Sequence, residues 1–198
     1  MDEEKKTTRK YRFSTINLLT MAAVAVVAAI FDSFVFPALM SIATPIFVFL
    51  GPIGWMGLMG VYMIWPVLVA LLICKPGATS IYGFLQGFVE MLFGNPFGAM
   101  AIVYAGIQAI GVDIGMAASK WRNKPIGALL GAGIGSFMIG EFYIFLFGMQ
   151  STYTIIVGGI TAFISGVIFG GLIGWLIAQA LYKTGVVSKA GMGYEEIK

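Results

Sequence analysis

Apolar residues run almost unbroken from Ser14 to Cys74 and again from Pro125 to Tyr182. The only ionisable acid or base in the first stretch, Cys74 and the tyrosines aside, is Asp32; in the second it is Glu141. One spanning helix needs about 20 apolar residues, so each stretch must fold back on itself. Proline and glycine corners divide the chain into six predicted spans, at 14–36, 52–74, 77–93, 96–119, 125–149 and 152–182. The connection 37–51 is apolar, short and bounded by proline, which reads better as an interfacial or re-entrant piece than as a crossing. Pro66 predicts a kink in the second span. Pro96 and Pro125 fall at expected first helical positions, where a missing N–H costs little. The pattern therefore predicts an all-α integral membrane protein with six transmembrane helices in a compact bundle.

Composition agrees. Of 198 residues, 59% are hydrophobic and 11% charged, against roughly 25% charged in soluble domains. The net charge of +3 is no nucleic-acid signal, because the basic residues cluster beside apolar spans. Lys5, Lys6, Arg9, Lys10 and Arg12 precede the first span. Lys75 separates the second and third, Lys120, Arg122 and Lys124 the fourth and fifth, and Lys183, Lys189 and Lys198 follow the sixth. All fall on one side of a six-span topology, and positively charged connections stay inside. Both termini are then expected in the cytoplasm of a prokaryotic plasma membrane, with a cytoplasmic tail at 1–13, one membrane domain at 14–183 and a second cytoplasmic tail at 184–198. A single cysteine excludes an internal disulfide, and the lack of histidine excludes a His-based metal site or general base. No nucleotide-binding G-x-x-x-x-G-K-[ST] occurs. Neither a metal nor a cofactor is expected.

Small residues recur at four-residue spacing: Gly158, Ala162, Gly166, Gly170, Gly174 and Ala178 in the sixth span, and Gly127, Gly131 and Gly135 beside Ala128, Ala132, Ser136 and Gly140 in the fifth. Such rows let helix backbones approach closely, and packing within the bundle is the simpler reading of both. Ala22, Ala25 and Ala29 make a similar face on the first span, for which docking to a partner subunit is an equal expectation.

Four acids lie within spans, and intramembrane acids generally mark a site or pathway. Counting from the basic connections at 1.5 Å per residue, Asp32, Glu90 and Glu141 lie roughly 30, 22 and 25 Å in, near the outer side, whereas Asp113 lies about 10 Å from Lys120. Tyr104, Tyr143 and Trp55 share the outer level. Gln86 is on the same span as Glu90, and Gln108 is deeper. Carboxylates with aromatic walls suit a flat, cationic or amine-bearing ligand. The plainer alternative is that each acid is a hydrogen-bonded packing lock. Asp113 and Lys75 are expected to pair and brace the corner Lys75-Pro76-Gly77.

Cys74-Lys75-Pro76-Gly77-Ala78, Glu90, Gly94-Asn95-Pro96-Phe97-Gly98, Gly106-Ile107-Gln108 and Gly111-Val112-Asp113 together resemble the YkoE-type substrate-binding (S) components of energy-coupling factor (ECF) transporters. Asp113 stands where that family usually has Glu, and Ala109 where Gly is common. The resemblance covers roughly 70–120 by motif and the whole chain by size and span count. It implies a subunit of an ABC importer, not an enzyme, that captures thiamine or its hydroxymethylpyrimidine precursor from outside. It also implies association with a membrane T component and two cytoplasmic ATPases, with small residues of the first helix docking on the T component. Glu90 is the first candidate to bond an aminopyrimidine, followed by Glu141 and Asp32, and 37–51 would gate the site. A stand-alone ion-coupled secondary transporter is the alternative. Its acids would relay protons, but no inverted repeat is visible.

Overall fold

The computed structural model describes residues 13–121 and 124–185. Among these the protein is all-helical. The first helix, α1, runs Thr15–Ile30, passes through a π-helical turn at Phe31–Val35 and continues as Phe36–Val48. Helix α2 has three pieces, Gly51–Met56, Met59–Tyr62 and Ile64–Ile73. Helices α3 (Ala78–Leu92), α4 (Met100–Ala118) and α5 (Lys124–Leu146) follow. Helix α6 comprises Thr152–Ser165, a π-helical stretch Gly166–Ile173 and Gly174–Thr184. Five of these six helices are long and apolar enough to cross a membrane; the exception is α3, with 15 residues.

Three local expectations are corrected. Segment 37–51 is not a separate re-entrant piece, because α1 continues through it to Val48. Proline lacks the N–H that an α-helix needs, and its ring crowds the preceding turn. The π-turn, closed by the Phe36 N–H on the Phe31 carbonyl, widens the helix immediately before Pro37 and lets it continue. Pro66 does not kink α2. It lies in the first turn of Ile64–Ile73, where its missing N–H is no loss, and the interruptions come earlier, at Gly57–Leu58 and Met63. Pro96 is not a first helical residue, since it sits in the corner before α4.

The small-residue rows are spent inside the bundle. Gly111 and Gly115 of α4 meet Gly135 and Gly131 of α5 backbone to backbone. The second α5 row, with Ala132 and Ser136, faces Gly166 of α6, while Gly170 and Gly174 of α6 take Met63 and Val67 of α2. The docking face expected at Ala22, Ala25 and Ala29 is likewise corrected. Ala25 and Ala29 are wholly buried, Ala22 is half-buried, and α1 packs on α3. Ile16, Leu19, Val27 and Ile30 are among the residues of α1 that face outward.

At the basic end of the bundle, Cys74 ends α2 in a left-handed conformation, φ 52°, and Gly77 opens α3 at φ 79°. The expected Lys75–Asp113 pair is not formed. Lys75 Nζ donates to Asn17 Oδ1 at 2.9 Å, tying the corner to the capping box of α1. Asp113 Oδ2 accepts from the backbone N–H and hydroxyl of Ser80, at 2.9 and 2.6 Å. Ser80 lies in the first turn of α3, where unpaired N–H groups and the helix dipole favour an acid, so Asp113 is drawn there.

Candidate functional site

At the end of the bundle away from Lys75, a cavity of about 410 Å³ opens between α1, α2, α3, α4 and α5. Its volume is that of a small-molecule site. One wall is acidic. The alanines of α1 bring its backbone close to α3, and the π-turn carries Asp32 inward. Gln86, buried behind the cavity, donates from Nε2 to Asp32 Oδ2 at 2.9 Å and to Glu90 Oε1 at 2.7 Å. Gln86 and Glu90 are four residues apart on α3 and so share a face. Asn95 completes the chain, donating from Nδ2 to Glu90 Oε2 at 3.2 Å. Its own Oδ1 accepts the Phe97 N–H at 3.0 Å, an Asx-type turn that holds the corner between α3 and α4. Both oxygens of Glu90 are therefore gripped by carboxamides.

The facing wall is aromatic. Tyr104 and Tyr143 stack at 4.8 Å between centroids, with Phe97 edge-on to Tyr104 at 5.0 Å. Phe36 and Tyr62 pack edge to face at 4.6 Å on the α1–α2 side. Trp55, Leu58 and Met59 come from the broken part of α2, and Pro37, Met40 and Ser41 from the continuation of α1. Among the described residues, neither Lys nor Arg lines the cavity. The broken stretch of α2 is held by Ser165 of α6, whose hydroxyl donates to the Gly57 carbonyl at 2.6 Å and accepts the Gly60 N–H at 3.0 Å.

Residues 16–139 match the family described as the permease component of an ABC-type cobalt transport system. The chain is also 30% identical over 148 residues to YkoE of Bacillus subtilis (strain 168), described as an HMP/thiamine permease protein; the match covers 73% of this chain and 74% of that one. The chain belongs to this family of ABC-type transport permease components, together with YkoE. In fold it is similar to the crystal structure of an S-component of an ECF transporter, with a TM-score of 0.79 and 24% identity, covering 93% of this chain and 92% of the other.

It is thus a multi-pass membrane transport subunit and not an enzyme. Of the residues expected at the substrate site, Asp32, Glu90, Tyr104, Tyr143, Trp55 and Gln108 line the cavity. Gln86 bridges the two carboxylates from behind. Glu141 is a correction: it is absent from the cavity lining and lies on the other face of α5, against Gly159 of α6. Counting along the helix does not set facing, and α5 turns this side chain away from the cavity. Glu141→Gln should therefore leave ligand affinity within about twofold, measured by fluorescence titration, as for a substitution away from the site. Asn95 was read only as a turn residue, although its place next to Pro96 and five residues after Glu90 was a usable signal. Tyr62 and Phe36 carried no signal, being aromatics among many.

Proposed function

We propose that the protein is the substrate-capture subunit of an ECF-type ABC importer, taking thiamine or its hydroxymethylpyrimidine precursor from outside the cell. One observation carries this reading: a bridged pair of carboxylates faces stacked tyrosines across a cavity of about 410 Å³. An aminopyrimidine presents an exocyclic amine and a ring nitrogen to a carboxyl group, and its flat ring suits an aromatic wall. The name of the Bacillus relative supports the same ligand class. The cobalt in the family description fits this chain less well. Transition-metal ions favour imidazole and thiolate donors, yet the sequence has no histidine, and its one cysteine is at the opposite end from the cavity.

The six helices are read as six crossings with both termini in the cytoplasm, because every Lys and Arg falls on one side of that topology. Residues 14–183 form the membrane domain. The tails at 1–13 and 184–198 lie almost entirely outside the described residues. Transport is completed by a T component and two ATPases on other chains. The outer half of α1, Phe36–Val48, supplies Pro37, Met40 and Ser41 to the cavity and serves as its gate.

Mass spectrometry of the purified protein should find a co-purified aminopyrimidine compound, and uptake should cease when the partner ATPases are deleted. Uptake that survives that deletion would instead identify an ion-coupled secondary transporter. A co-purified ligand without an amine or a flat ring would sink the ligand assignment.

A further inference from the structure

We propose that Asn95 is a positioning residue for Glu90: the corner at the end of α3 presents its carboxamide to the Glu90 carboxylate, aims that carboxylate at the ligand and links it to α1. This rests on the reading of the cavity given above. It adds a residue whose effect on binding passes through Glu90 and not through a ligand contact of its own.

The placement begins with the backbone, because α3 ends in a Schellman turn. Gly94 takes φ 77°. Its N–H bonds the Met91 carbonyl at 3.2 Å, and the Asn95 N–H bonds the Glu90 carbonyl at 3.1 Å. In such a turn the second residue beyond the cap folds back over the third residue from the helix end, and their side chains commonly make a hydrophobic contact. Here those two positions hold Asn95 and Glu90. Both are buried, and in place of an apolar contact the Asn95 Nδ2 donates to Glu90 Oε2 at 3.2 Å. A buried polar pair is tolerated only when its groups are satisfied, and this one is matched donor to acceptor.

The carboxamide has little left to offer a ligand. Its Oδ1 accepts the Phe97 N–H at 3.0 Å, which turns the amino group towards Glu90. That group carries two hydrogens. One goes to Glu90, and the other points at Ser33 Oγ, at a weak 3.5 Å. Ser33 stands beside Asp32 in the π-turn of α1, and Asp32 is joined to Glu90 through Gln86. Asp32, Gln86, Glu90, Asn95 and Ser33 therefore make a ring closed by the Asp32–Ser33 peptide. Asn95 borders the cavity, but its N–H groups are taken within the protein.

The residue type separates two roles. Asn and Asp side chains make the same Asx turn, so the Phe97 N–H alone would accept either. Only the bond to Glu90, and the weaker one to Ser33, ask for an amide. Asn95→Asp keeps the turn and sets an acceptor against an acceptor.

Titrations use the full-length protein in nanodiscs, with thiamine and hydroxymethylpyrimidine as probes and Trp55 fluorescence as signal. Asn95→Asp should fold and bind about tenfold more weakly at neutral pH, as for the loss of one hydrogen bond to a charged group. The deficit should shrink as the pH falls, because the introduced carboxyl gains an O–H that can donate to Glu90. Asp32 of α1 and the tyrosines Tyr62, Tyr82, Tyr104 and Tyr143 also face this wall, so Kd is taken as a ratio to wild type at each pH. On a Glu90→Gln background, Asn95→Asp should add little further loss, since the glutamine amide can donate to the introduced carboxylate; independent effects would multiply. Wild-type affinity in Asn95→Asp, a deficit that ignores pH, or the same fold loss on both backgrounds would overturn the inference and leave the capture function intact. Failure of the wild-type protein to bind either probe would overturn the underlying reading as well. If Asn95→Asp alone does not fold, the double variant decides: restored folding supports the pairing of Asn95 with Glu90, and continued failure overturns it.

Discussion

Replacing Glu90 with Gln should weaken ligand binding by about 100-fold or more, equivalent to about 2.8 kcal/mol. The substitution preserves shape but removes the charge. It also replaces one acceptor oxygen with an N–H2 group. The wild-type oxygens receive N–H groups from Gln86 and Asn95 at 2.7 and 3.2 Å, so a glutamine at 90 sets donor against donor on one side. Losing a charge-assisted hydrogen bond costs roughly 1.5–3 kcal/mol, and the disturbed Asn95 also holds the corner before α4. Titration of thiamine or its pyrimidine by fluorescence gives the readout, with Trp55 in the cavity lining as reporter. Unchanged affinity in Glu90→Gln would show that Glu90 is a packing lock and not a ligand contact.

The second large effect is on the scaffold. Gly60→Ala should destabilise the protein by about 3 kcal/mol, the upper end for overpacking, with a clear fall in melting temperature and in ligand affinity. A Cβ at Gly60 would run into the backbone carbonyl of Ser165, and Ser165 Oγ lies next to it. The clash is with backbone, which cannot rotate away. It would also push apart the two bonds by which Ser165 holds the break in α2, and with them the wall formed by Trp55, Leu58, Met59 and Tyr62. Gly57→Ala provides the comparison. Its Cβ would lie 3.2 Å from the Gly54 carbonyl of its own turn and 3.8 Å from Thr161 of α6, so its effect should be much smaller. Equal melting temperatures for the two variants would count against close α2–α6 packing.

Much of the architecture is legible along the chain because membranes impose length and hydrophobicity on each crossing. Helices α2 to α6 lie close to their expected limits, α1 runs on past its expected end to Val48, and the glycine rows of α5 and α6 do pack against neighbours. Asp32 and Glu90 stood out because acids among apolar residues need a reason. What was misread depended on direction or on compensation by a distant residue. Pro37 suggested a helix end, and only the π-turn before it, an adjustment of backbone hydrogen bonding, lets α1 continue. Ala25 and Ala29 marked a close approach without naming the neighbour, which is α3. Lys75 and Asp113 were joined because their charges are opposite, but each found a nearer partner, Asn17 and Ser80.

The sequence by itself determined the class of protein and where most of its helices begin and end, since these follow from one-dimensional quantities: run length, and the spacing of proline and glycine corners. Only the tertiary structure decided which acids meet. Asp32 and Glu90 are 58 positions apart and are joined through the amide of Gln86, while Glu141 faces α6 instead. Depth is set by counting along a helix, but facing is set by how each helix is rotated when its small residues seat against a neighbour.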